Sequence, residues 1–281
     1  MKYMFLRFPG GKPKAVTLSY DDGCPEDERF SNVITAHGLK CTFNLVATRV
    51  ERAEPEFKDT LRKIILERGH EIANHGYSHR ALNKIRPIEG SYEVLECRRS
   101  LEAEFGGIIR GFAYPDTGIK NPDEYAPIKK YLAELDIAYA RNIGGDNDSF
   151  ELPSDFHNWM ATVHHSNPAV MEYIDKFVEL DISKLYKCVR SPKLFMLWGH
   201  SYEFERAGNW ELLDKICEKL GGKEDTWYAT CIEIYDYVMA YRSLVYSANG
   251  ETVYNPTLIE VWFDVDGVLR SIKPGELIKI N

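Results

Sequence analysis

The chain has 281 residues, 44% of them apolar and 12% aromatic, enough to bury a full core in one barrel or two small domains. Its 35 basic and 43 acidic residues leave a net charge of −8, so neither nucleic acid nor an anionic membrane surface is expected as a partner; both favour a concentrated positive face. No apolar run approaches the ~20 residues of a membrane span, and the six cysteines are scattered without Cys-x-x-Cys spacing and read as reduced thiols, so the expected compartment is the cytoplasm.

At the N-terminus, Tyr3-Met4-Phe5-Leu6 lies between Lys2 and Arg7, too short for the apolar region of a signal peptide. The first strand-like run, near 14–20, ends in Asp21-Asp22-Gly23, with Cys24 at its rim. Adjacent carboxylates repel, so their place at a strand end calls for a metal, solvent or function to offset the cost. A strand follows near 41–46, and then Phe57, Leu61, Ile64 and Ile65 share one helical face that stops at Gly69. The next strand, near 70–74, leads into Asn74-His75-Gly76-Tyr77-Ser78-His79, whose imidazoles are spaced to face one point. Alone, Asp-Asp-Gly reads as a solvated turn and His-x-x-x-His as surface decoration. Together, at the ends of two apolar runs, one carboxylate and two histidines make a facial metal triad, and the other carboxylate is left to take a proton from water.

Helix-length segments near 91–105, 167–180 and 210–220 alternate with strands near 109–114, 137–140, 194–198 and 226–230. That alternation predicts an α/β fold with a parallel sheet closed or nearly closed on itself, and catalytic groups at the carboxyl ends of its strands. After about residue 242 the pattern turns β-rich, with Asp266-Gly267 and Pro274-Gly275 as turns. Residues 1–242 are therefore expected to form the barrel and 243–281 a β-rich extension packed on it.

Ser19-Tyr20-Asp21-Asp22-Gly23 resembles the first motif of the polysaccharide deacetylase family (the NodB homology domain, carbohydrate esterase family 4), usually Thr-Phe-Asp-Asp-Gly, and the run Gly69 to His79 resembles its second. The resemblance extends in order over about residues 12 to 240. It implies a distorted (β/α)7-type barrel, here with a small C-terminal antiparallel β appendage. It also implies Asp22, His75 and His79 as ligands of one divalent metal ion: zinc first, although a carboxylate with two imidazoles also suits cobalt, nickel, iron or manganese. Asp21 is then the catalytic base, and His200, ending Leu194-Phe195-Met196-Leu197-Trp198-Gly199-His200, the general acid.

The third motif departs from the family's Arg-x-Pro-Tyr-Gly, reading Phe112-Ala113-Tyr114-Pro115-Asp116-Thr117-Gly118. Arg141 is the candidate replacement for the absent arginine, and the N–H of Asp116 the candidate oxyanion donor. No fourth motif is recognisable: Asp146, Asp148 and Trp159 lie in its region, and Glu203 or Glu205 could orient His200 instead. Tyr114, Asp116, Trp198, His164 and His165 are the expected substrate-binding residues. The resemblance implies a metal-dependent hydrolase that removes acetyl groups from N- or O-acetylated sugars or oligosaccharides. An amidohydrolase on a non-sugar amide or imide and a non-catalytic carbohydrate-binding protein are the alternatives. The acetylated sugar is the expected partner, and a homo-oligomer is compatible with the sequence.

Overall fold

The computed structural model describes residues 2–116, 118–143 and 147–280. In chain order its strands begin with β1 (Met4–Arg7), β2 (Lys14–Asp22), β3 (Cys41–Leu45), β4 (Glu71–Asn74), β5 (Gly111–Ala113), β6 (Tyr139–Asn142), β7 (Trp159–Met160) and β8 (Val163–His164). Then come β9 (Lys193–Gly199), β10 (Thr226–Tyr228), β11 (Val245–Tyr246), β12 (Thr252–Tyr254), β13 (Val261–Val265), β14 (Val268–Ile272) and β15 (Leu277–Lys279).

All nine residues of β2 are buried, as a parallel strand covered on both faces requires, which explains why it reads as a largely apolar run, interrupted by Thr17 and Ser19, up to the aspartates. β2 organises a nine-stranded parallel sheet in the order β7-β6-β5-β4-β3-β2-β9-β8. β9 pairs with β2 from Lys14 to Tyr20, while β10 pairs with it at Lys14–Val16 and β3 at Leu18–Asp22. No pairing joins β7 to β8 among the described residues, so the curled sheet stays open there. This is the expected α/β architecture of a distorted, incompletely closed barrel.

The helices Asp27–Ala36, Val170–Glu179 and Trp210–Leu220 cover the outside, burying Phe30, Ile34, Ile174, Phe177, Leu213 and Ile216 against the sheet. The apolar face predicted around residue 60 is a helix, Pro55–Leu61, that widens into a π turn at Arg62–Leu66, where the consecutive Ile64 and Ile65 are both buried. The helix Cys231–Arg242 closes the amino end of the barrel: its Cys231 N–H donates to Thr42 Oγ1 and its Ile232 N–H to Glu71, both at 3.0 Å. A carboxylate at a helix N-terminus is favourably placed, although burial pushes the Glu71 pKa up to about 7.

The C-terminal strands form two small antiparallel sheets, β1-β13-β14 and β11-β12-β15. The hairpin between β13 and β14 turns at Asp266 (φ 50°) and Gly267 (φ 91°), the backbone a tight two-residue turn needs. β1 was not legible as a strand: its partner lies across the whole chain, with Arg7 opposite Trp262. Val261, Phe263 and Val265 alternate inward on β13 and pack with Val253, Ile272 and Leu244. Tyr237 ties this region to the barrel, its hydroxyl donating to the Arg7 carbonyl and accepting the Trp262 N–H, both at 2.9 Å.

Tyr237→Phe strands a buried carbonyl and a partly buried N–H at once. It is expected to lower unfolding stability by about 1–3 kcal/mol, read from the denaturant midpoint; an unchanged midpoint would show that water or backbone movement satisfies both groups.

Candidate active site

The carboxyl ends of the barrel strands surround a cavity of about 280 Å³ lined by Asp21, Asp22, His75, His79, Tyr114, Asp116, Ile143, Trp198, His200 and Tyr202. Successive side chains of a strand point to opposite faces, so Asp21 and Asp22 would diverge if β2 stayed regular. Asp22 instead has φ 89°, and His75 Nε2 lies 3.8 Å from a carboxylate oxygen of each aspartate. His79 (φ 61°) and Asp116 (φ 58°) share this uncommon backbone region, so three of the described non-glycine residues held there line one cavity. Such conformations cost energy and persist where the surroundings enforce them.

Asp22, His75 and His79 bring one ligand atom each to within 4.8 Å of one another. His79 Nε2 is 3.5 Å from Asp22 Oδ1, a buried atom with no hydrogen-bond partner. The other oxygen, Oδ2, meets the half-exposed Arg49 at 3.1 Å. His75 Nδ1 donates to the Ala113 carbonyl at 2.9 Å, which leaves the lone pair of Nε2 facing the aspartates; ligating histidines are normally oriented in this way. An unsatisfied carboxylate oxygen and an oriented imidazole fit a divalent metal ion, and these residues could hold one.

The loop carrying the histidines is itself fastened. Asn74 Oδ1 accepts the Gly76 N–H at 2.9 Å, and the buried Glu93 accepts the Ser78 N–H at 2.7 Å as well as its hydroxyl. Gly76 (φ 82°) lies against Pro115, whose Cγ would be 3.3 Å from an added Cβ, so a side chain there would be strained and crowded.

Asp21 has a different environment. Arg141, fully buried on β6, places Nη2 2.6 Å from Asp21 Oδ1 and also contacts Oδ2, while Asn44 Nδ2 donates to Oδ1 at 2.8 Å. The guanidinium lies 4.9 Å from the Trp198 ring centre. Burial alone would raise the pKa of Asp21, but Arg141, and then His75 and His200, outweigh it and hold the carboxyl below its usual range.

Across the cavity, His200 Nδ1 faces Glu203 at 3.4 Å, and Glu203 Oε2 accepts the His200 backbone N–H at 3.2 Å. Burial would lower the His200 pKa, yet Glu203 and the aspartates raise it. Glu203 Oε2 is also 3.2 Å from His164 Nε2 and 3.3 Å from His165 Nε2. His164, His200 and Glu203 have metal-ligand spacing too. His164 Nδ1, however, accepts the Ser166 N–H at 3.1 Å, so the proton of the neutral ring sits on Nε2 and points at Glu203. Glu203 thus meets an imidazole N–H, whereas Asp22 turns an unpartnered oxygen toward two imidazoles, so the Asp22 centre is the better metal site.

Tyr114, Asp116 and Trp198 line the cavity, whereas His164 and His165 are not among its lining residues and contact Glu203. Gly199 makes room for His165, whose Nδ1 would be only 2.0 Å from a Cβ there. Glu205 bonds the Trp210 indole at 2.7 Å, and Asp148 faces Lys176 at 3.7 Å, both away from His200. Trp159 is buried against Tyr139 and Phe156 inside the barrel. Asp146 and Thr117 lie outside the described residues. Cys24 packs its sulfur 3.0 Å from Ser201 Oγ, and Ser201 in turn donates to the buried Asp27 at 2.6 Å, tying the aspartate loop to the His200 loop. Asn44, Arg49, Glu93 and Tyr202 were not foreseen; only Asn44 had a signal, its β3 position falling opposite Asp21 once the two strands are paired.

A model of the polysaccharide deacetylase family matches residues 9–134. A chitooligosaccharide deacetylase from Bradyrhizobium sp. is 34% identical over 94 residues, 32% of this chain and 40% of that protein. A peptidoglycan-N-acetylglucosamine deacetylase from Bacillus cereus is 24% identical over 208 residues, 69% of this chain and 73% of that protein. The chain thus spans under half of the first relative and about three quarters of the second. Among solved structures, a candidate polysaccharide deacetylase from Mycobacterium smegmatis superposes with a TM-score of 0.60 at 17% identity, covering 86% of this chain and 96% of its own. The chitin deacetylase of Colletotrichum lindemuthianum gives 0.52 at 16% identity, covering 79% and 87%. At these identities the likeness is one of fold.

Arg141→Leu leaves Asp21 buried without its cation, and should cost about 3–5 kcal/mol near neutral pH. In the parent the depressed Asp21 pKa stabilises the fold above the unfolded value, and that contribution is lost as pH falls through the folded value. In the variant burial dominates and the pKa rises above the unfolded one, so the carboxylate costs stability as pH rises. The deficit measured by denaturant unfolding of metal-free protein should therefore grow from about pH 4 to pH 7; a pH-independent deficit would contradict this pairing.

Proposed function

We propose that this chain is a member of the polysaccharide deacetylase family and a metal-dependent hydrolase removing acetyl groups from N- or O-acetylated sugars or oligosaccharides. The observation that carries the reading is the division of labour between neighbouring carboxylates: Asp21 is bonded to Arg141, whereas Asp22 turns an unpartnered oxygen toward His75 and His79 in the same cavity. A pure binder has no use for a cation-held base facing a histidine acid.

Asp22, His75 and His79 would hold the metal, for which zinc is the first choice among zinc, cobalt, nickel, iron and manganese. Bound there, it would supply polarisation of the acyl oxygen and acidification of water. Asp21 takes the proton of the attacking water, its geometry fixed by Arg141 and Asn44 and its ionised form kept available by Arg141. His200, oriented by Glu203, gives a proton to the departing nitrogen or oxygen, and its raised pKa favours the protonated form. Arg141 thereby takes the part of the arginine missing from the third motif, and Glu203 that of the unrecognised fourth. Tyr114, Trp198 and Tyr202, which line the cavity, are assigned to the sugar, and the N–H of Asp116 to the developing oxyanion.

The test is acetate release from N-acetylglucosamine oligomers and O-acetylated sugars by metal-stripped protein, with and without added zinc or cobalt. Release is expected only with metal, and Asp21→Asn or His200→Ala should lower kcat by about 10²–10⁴. Full turnover in Asp21→Asn would remove it as the base. No release from any acetylated sugar, with hydrolysis of a simple cyclic amide instead, would shift the assignment to a non-sugar amidohydrolase.

A further inference from the structure

A second cavity, of about 380 Å³, opens where the barrel meets the C-terminal strands, and it has no part in the chemistry above. Its walls include Trp227, Tyr237 and Trp262 together with Glu233, Asp236 and Glu260, and no lysine or arginine is among its lining residues. Trp227 is on β10, which pairs with the first residues of β2, so the groove lies at the end of the barrel opposite Asp21 and Asp22. One wall is the helix Cys231–Arg242 and the other is the chain entering β13, so the groove exists only because the C-terminal strands dock.

The two indoles differ in their neighbours. Trp227 is fixed against Phe8 and Tyr237, with ring centres 5.6 and 5.4 Å away. Trp262 is held through its backbone by Tyr237, but its half-buried ring has no aromatic or cationic partner among the described residues. The acids differ likewise. Glu233 caps its own helix by accepting the Thr230 N–H at 2.7 Å, and Asp236 sees Arg110 at 3.7 Å. Glu260 has no hydrogen-bond or ion-pair partner among the described residues, although it is partly buried beside Tyr237. An unstacked indole and an unpaired carboxylate in one aromatic groove are complementary to a cation carried on a flat apolar body.

We infer that this groove binds amino-sugar units in their ammonium form, the pyranose ring lying on Trp262 and the ammonium against Glu260 and Asp236. The choice of an amino sugar rests on the deacetylase reading, since N-deacetylation of a sugar polymer generates ring-borne ammonium groups. A site for the product's chemistry, remote from the reacting centre, holds the protein on a partly deacetylated chain while acetylated units reach the cavity at the other end.

The test is calorimetric titration of metal-free, full-length protein with a glucosamine hexamer, its N-acetylated counterpart and a lysine-rich peptide, at a pH where the amines are protonated. The glucosamine oligomer should bind at least about ten-fold more tightly than the other two. Its affinity should fall in Trp262→Ala and in Glu260→Gln, the latter an isosteric change at a side chain with no hydrogen-bond or ion-pair partner among the described residues, which leaves the fold intact by circular dichroism. Equal affinity for the acetylated oligomer or for the peptide, no binding of the glucosamine oligomer, or unchanged affinity in both variants would overturn the assignment. Because the titration needs neither metal nor turnover, it is decided separately from the acetate-release assay: failure of acetate release removes the deacetylase reading without altering this result, and failure here leaves that reading standing.

Discussion

Two carboxylates on consecutive residues, 3% and 5% exposed, are the constraint on which the site depends. Like charges that close repel, and each buried carboxylate must be matched by its own cation or lose its charge. The chain brings both into one cavity and gives each its own partners. Asp21 stays in the strand and reaches inward to Arg141, while the left-handed turn at Asp22 swings its side chain back toward the histidines.

The same constraint shapes the sheet. β2 and β6 are separated by β3, β4 and β5 in the strand order, yet Arg141 touches Asp21 at 2.6 Å. Only a sheet curled far enough to bring those strands together across its interior permits that contact. The barrel is thereby linked to the chemistry: its curl delivers the cation that keeps Asp21 ionised. The loops then settle the remaining geometry, with Glu93 holding the histidine loop and Asp27 joining the aspartate and His200 loops through Ser201.

Much of this was legible in the sequence because it is local. Apolar runs long enough to be buried gave β2, β3, β4 and β9, and Asp21-Asp22 and His75-x-x-x-His79 stood at the ends of two of them. Arg141, at the end of a short strand, could be named only through the family resemblance, which calls for an arginine the third motif lacks, and the structure sets it against Asp21. What was not legible is long-range. β1 has a partner near the other end of the chain, β7 and β8 have two residues each, and Glu93 acts on a loop fifteen residues away. None of these leaves a periodicity to read. His164 and His165 show the same limit: the sequence marks them as chemically able, but only the fold reveals that Glu203 meets both of them as well as His200.

The central claim is that the paired aspartates have different duties, and metal binding separates them most directly. Zinc or cobalt titration of the apo-protein should give one tight equivalent, retained in Asp21→Asn and lost in Asp22→Asn. Loss of the metal in Asp21→Asn with retention in Asp22→Asn, or equal weakening in both, would contradict the division of the pair on which the account rests.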